Sequence, residues 1–77
     1  MKINILLFGG LKDFAGAGRI TLDIPPDTSA LKEMLSAKYP GIGRTGYKIS
    51  VNQKLIREEC RLHRGDEVAL LPPFAGG

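Results

Sequence analysis

The residues of this chain best suited to chemistry are its last six, Pro72-Pro73-Phe74-Ala75-Gly76-Gly77. Proline fixes φ, so the diproline gives this segment a stiff start directed away from whatever precedes it. Glycine lacks Cβ, so Gly76 and Gly77 could pass through a channel too narrow for a side chain. The five residues after Pro72 span on the order of 17 Å when extended at ~3.3–3.6 Å per residue, deep enough to enter another protein's active site. A carboxylate on Gly77 is ionised at neutral pH and is a poor electrophile. Joined to AMP it becomes a mixed anhydride, which a sulfur donor or an amine can attack. Two closing glycines arise by chance about once in 200 chains of average composition. The pair therefore takes its meaning from the diproline and the apolar strand pattern before it.

Cys60 and His63 are the other reactive side chains. Three residues apart, they could be drawn as a nucleophile and its base, or as half a metal site. Neither drawing has a third group to orient the base or complete a coordination shell. The reading adopted is a partly buried thiol and a surface imidazole, with no metal bound. A single cysteine rules out an internal disulfide and fits a reducing compartment.

Charge and length exclude several classes. The net charge is +3 and the pI near 9.3, but acids interrupt the eleven basic residues at Asp13, Glu33, Glu58-Glu59 and Asp66-Glu67. With no basic helix and no aromatic RNA-binding motif, this is solvated surface charge, and no nucleic-acid partner is expected. No apolar run approaches the ~20 residues of a membrane span, and the start does not resemble a signal peptide. The expectation is one cytoplasmic domain over residues 1–77, with 72–77 as a projecting tail, and no membrane partner.

Elements that could position the tail follow from periodicity. Ile3, Ile5 and Leu7 alternate with polar positions over Lys2–Phe8, and Ile20, Leu22 and Ile24 do so over Arg19–Ile24. These read as a hairpin joined by a long glycine-bearing loop. After Pro25-Pro26, Asp27 or Thr28 can cap a helix over 28–39, whose stripe is Leu31, Met34, Leu35 and Tyr39. Pro40-Gly41 stops it. Tyr47–Val51, a turn at Asn52-Gln53, Lys54–Ile56 and Glu67–Leu71 complete the order β-β-α-β-β-β. An α+β fold is expected, with the helix across one face of a mixed sheet and Leu31, Met34 and Leu35 against Ile3, Ile5, Ile20, Ile49 and Val68.

Val51-Asn52-Gln53, Gly65-Asp66-Glu67-Val68, Pro72-Pro73 and Gly76-Gly77 together resemble the small subunits of molybdopterin synthase, sulfur carriers of the ubiquitin-like MoaD/ThiS family. The likeness runs the length of the chain and is loosest at residues 41–46. The resemblance implies a ubiquitin-like β-grasp fold and a two-stage cycle. An adenylating enzyme of the ubiquitin-activating type uses ATP to form an acyl-adenylate on Gly77. A sulfur donor then converts it to a thiocarboxylate, with Gly76 supplying channel passage. The large synthase subunit accepts the tail and uses the sulfur to build molybdopterin. The chain itself would bind no cofactor, and the catalytic groups would belong to the large subunit.

The β-grasp arrangement would place Phe8 and Leu11 beside the tail exit, making Phe8, Leu11, Pro72, Pro73, Phe74 and Ala75 the expected partner interface. Lys12, Lys48 or Arg57 could flank it. The alternative for Phe8 is that it closes one end of the core. Three other functions remain open: a sulfur carrier of thiamine or cysteine biosynthesis, a ubiquitin-like protein modifier, or a simple protein interaction module with an inert tail. Thiamine-pathway carriers usually lack the diproline-aromatic approach present here.

Overall fold

In the computed structural model, which describes residues 1–74, the first alternating run forms β1 (Lys2–Leu7) and buries Ile3, Ile5 and Leu7. A 3-10 turn (Gly9–Leu11) and one turn of helix, α1 (Lys12–Ala15), lead to β2 (Arg19–Asp23). The main helix α2 (Thr28–Lys38) is followed by the short α3 (Ile42–Thr45). Three strands close the order: β3 (Lys48–Val51), β4 (Lys54–Ile56) and β5 (Val68–Leu71).

The strands lie in the order β2-β1-β5-β3-β4. β1 and β5 are parallel, and the other neighbours are antiparallel. Register aligns the apolar residues into rows across one face. One row is Ile20, Ile5, Val68 and Val51, and the next is Leu7, Leu70, Ile49 and Ile56. Helix α2 supplies Leu31 and Leu35, both fully buried, and the half-buried Met34 to the same core. Burying each such leucine contributes roughly 1.5–3 kcal/mol, so this face outweighs any propensity term in holding the helix. The mixed sheet with one covering helix is the expected α+β arrangement. Leu11, Ile42 and Leu62 also belong to the core, from segments read in sequence as loops.

Local chemistry sets the boundaries. Asp27 caps α2, its Oδ1 accepting from the Ala30 N–H at 2.8 Å. Thr28, the other capping candidate, is buried inside the first turn, and its Oγ1 accepts from the Cys60 N–H at 3.1 Å. Asn52 and Gln53 both take positive φ, 52° and 68°, as the two central residues of a tight hairpin turn. Two expected loops contain helical turns instead: the glycine-bearing loop of the first hairpin holds the 3-10 turn and α1, and residues 42–45 form α3. Four residues are too few to display a 3.6-residue stripe, so periodicity passes over them.

Candidate functional site at the end of the last strand

Because β1 and β5 run parallel, their C-terminal ends emerge together, with Leu7 opposite Leu70. The Phe8 N–H donates to the Leu70 carbonyl at 3.1 Å, continuing the ladder one residue past β1. The chain then turns sharply at Gly9, φ +59°, and the Leu11 N–H donates back to the Phe8 carbonyl at 3.2 Å. This turn swings Leu11 into the core, where 1% of its surface remains exposed. Leu11 therefore cannot present a side chain to a partner, which corrects its place in the expected interface. Phe8, on the outside of the same turn, keeps 45% of its surface, and Phe74 keeps 83%.

The diproline does not leave the sheet unaccompanied. A Cβ built on Gly9 would fall 2.7 Å from Cγ of Pro72, well inside contact distance, so the proline ring occupies the space where a side chain would stand. On the other side, a Cβ on Gly46 would meet Cβ of Pro73 at 3.7 Å. Gly46, with φ +78°, ends α3. The two prolines are thus seated between the loop after β1 and the loop before β3. Pro72 is half-buried, and Pro73 and Phe74 form an exposed turn. Ala75, Gly76 and Gly77, to which the sequence assigns interface, passage and acyl chemistry, lie outside the described residues.

Of the basic residues considered as flanks, Lys48 pairs with Leu71 in register and Lys12 begins α1, so both stand at the exit end. Arg57 lines a groove of about 180 Å³ with Tyr47, Lys48 and Lys32 on the β3–β4 side. Burial pushes the Tyr47 phenol above its ordinary pKa, keeping it neutral.

Set against known proteins, residues 5–77 match the ThiS family. The chain belongs to the ThiS family. Among its relatives, the molybdopterin synthase sulfur carrier subunit of Dictyostelium discoideum is 34% identical, with 99% of this chain and 96% of that protein covered. The protein of the same name from Mycobacterium tuberculosis is 30% identical, over 100% of this chain and 99% of its own. A chain in the solved complex of subunits 1 and 2 of the molybdopterin-converting factor of Helicobacter pylori superposes with a TM-score of 0.74 at 28% identity, covering 100% of both chains. Small archaeal modifier protein 1 of Methanosarcina acetivorans gives 0.80 at 24% identity, over 99% of this chain and 96% of that one, a likeness of fold. The ubiquitin-like β-grasp fold follows from these superpositions.

The motif residues fall into two groups by their place on the sheet. Asn52 and Asp66, from the Val-Asn-Gln and Gly-Asp-Glu-Val runs, are joined at the far end of the sheet from the tail. The Asn52 amide donates to Asp66 Oδ1 at 3.0 Å, and its own oxygen accepts from the Glu67 N–H at 3.0 Å. The His63 N–H donates to Asp66 Oδ2 at 2.7 Å. These bonds hold the β3–β4 turn to the approach to β5 and are structural. Cys60 and His63 lie in that same loop. Cys60 is half-buried, its thiol directed at the Arg61 carbonyl, and the His63 imidazole is exposed. No group of three metal-binding side chains occurs among the described residues. Sequence reasoning overlooked Gly9 and Gly46 as part of the exit. Gly9 carried a signal in directly following an alternating strand, but it reads there only as a strand terminator.

Proposed function

We infer that this chain is a sulfur carrier whose working group is the carboxylate of Gly77, serving as the small subunit of molybdopterin synthase. The observation that carries this reading is the full-length match to sulfur carrier subunits of that enzyme, in a chain whose tail starts from a seated diproline and runs to Gly76-Gly77. The core and the hydrogen-bonded far end serve to hold residues 1–71 as one rigid domain, and residues 72–77 act beyond it. An adenylating enzyme of the ubiquitin-activating type joins Gly77 to AMP and releases pyrophosphate from ATP. Sulfur delivered by the donor as hydrosulfide then displaces AMP at the acyl carbon and gives up its proton, leaving a thiocarboxylate. Its lower basicity makes it an ionised, soft nucleophile at neutral pH. The large subunit supplies the catalytic groups, so this chain is carrier and co-substrate. The cycle belongs in the cytoplasm, where ATP is available. No helix among the described residues is long and apolar enough to cross a membrane.

The test is mass spectrometry of the C-terminal peptide after incubation with ATP, a sulfur donor and the activating enzyme. The native protein should gain the oxygen-to-sulfur shift. Deleting Gly77 withdraws the carboxylate by ~3.5 Å, and since ~1 Å of misplacement can cost about 100-fold in rate, the variant should be close to inactive. Gly76→Val should fail because a β-branched side chain cannot enter a glycine-sized channel. Both should melt with the native protein, because both positions follow the last strand, which ends at Leu71. Sulfuration of the deletion variant at the native rate would remove the carrier function.

A further inference from the structure

We propose that Gly9 is a positioning residue for the tail: its absent side chain is the seat of the Pro72 ring, and that seat sets the direction in which the chain leaves the sheet at Pro73. The geometry is one-sided. The Gly9 wall is fixed, because the Phe8 N–H is bonded to Leu70, the Leu11 N–H closes the turn on Phe8, and the Leu11 side chain is locked in the core. A proline ring is closed on its own backbone, so Cγ of Pro72 can yield to an intruding atom only by a change of ring pucker, far less than a flexible side chain could. The strand ladder of β5 ends at Leu71. A Cβ on Gly9, built 2.7 Å from Cγ of Pro72, is therefore relieved by displacing the backbone at Pro72, and Pro73 leaves its contact with Gly46.

Two forces operate at Gly9, and they are separable. Its φ of +59° is unfavourable for most residues, but asparagine tolerates that region. This chain already holds Asn52 at φ +52°. Gly9→Asn thus adds the Cβ with little backbone strain. Gly16 is the complementary case: its φ is +70°, and a Cβ there meets nothing within 4 Å. Gly16→Ala applies the strain without the collision. Pro72→Ala removes the colliding atom, since the nearest surviving side-chain atom, Cβ, would lie 3.9 Å from the Gly9 Cβ.

The consequence for sulfur transfer rests on the carrier reading, whereas the seat itself does not, so two readouts are used. By NMR, Gly9→Asn should keep native amide shifts in β2, β3 and β4 but lose the proton contact between Gly46 and Pro73. In sulfuration assays with the activating enzyme it should lose about 100-fold in kcat, the order expected for misplacement by ~1 Å. Gly16→Ala should keep both the contact and the native rate. In the Pro72→Ala background, adding Gly9→Asn should change the rate less than threefold. If Gly9→Asn does not fold, the same comparison is made with Gly9→Ala. A retained Gly46–Pro73 contact in the Gly9 variant overturns the proposal, as does an equal Gly9 penalty with and without the Pro72 ring. If the native protein is never sulfurated, the carrier reading fails while the NMR comparison still decides the seat.

Discussion

Phe8 and Leu11 lie three residues apart and face opposite ways, one outward and one into the core, because a single turn at Gly9 separates them. This is the residue-level distinction between contact surface and packing, and sequence spacing does not reveal it. Phe8 was legible as an aromatic at the end of an alternating strand. Leu11 was not, because its burial depends on a positive φ two positions earlier. Phe74 and Phe8 are large apolar groups left in water beside the tail exit, the pattern of anchors that fill pockets on a partner. Phe74→Ala and Phe8→Ala should each weaken binding to the large subunit or the activating enzyme by at least ~2 kcal/mol, about thirtyfold in Kd. Calorimetry measures this directly, and native affinity in both variants would exclude the two rings from the interface. Leu11→Ala should instead cost about 2–5 kcal/mol of folding stability, as core truncations of leucine do.

At the scale of elements, the end of the sheet away from the tail adds side-chain hydrogen bonds to the apolar packing of Val51, Leu62 and Val68. The Asn52 amide and the His63 backbone N–H, both donating to Asp66, hold its carboxyl below the ordinary carboxylate range. The Lys2 ammonium does the same for Asp23 across the β1–β2 edge at 2.7 Å. A carboxyl whose pKa is lower folded than unfolded binds protons more weakly in the folded state. Its contribution is therefore complete above the unfolded value and is lost as pH falls through the folded one. Denaturant melts should show native stability flat near neutral pH and falling below about pH 4. Asp66→Ala should be less stable at neutral pH and show a shallower acid limb. An acid limb unchanged by that substitution would place the pH dependence elsewhere. Helix α2, β1, β2 and β3 were readable to within a residue or so from their periods, and β4 and β5 from the Asn52-Gln53 turn, Gly65-Asp66 and the diproline that bound them. The 3-10 turn, α1 and α3 were not, because elements this short are stabilised by tertiary burial of Leu11 and Ile42 rather than by local pattern.

For the molecule as a whole, the parallel pairing of β1 with β5 gives it two poles within an envelope of 27 × 26 × 18 Å. Met1 sits at one, where its carbonyl accepts from the Ile24 N–H at 2.9 Å, and the diproline leaves from the other. Six residues of β1 at ~3.3 Å each set the two apart by roughly 20 Å. Attachment is therefore directional. A carrier biotinylated at Met1 and captured on a sensor surface should stand with Phe74 facing the solution and bind the activating enzyme with its free-solution affinity. The same biotin on Lys12, in α1 beside the exit, should obstruct that encounter and slow association severalfold. Equal association from both orientations would mean that the enzyme approaches along the side of the sheet. With the expected result, Met1 becomes the place for a tag, a dye or a fusion partner, a handle on the pole that the reaction never visits.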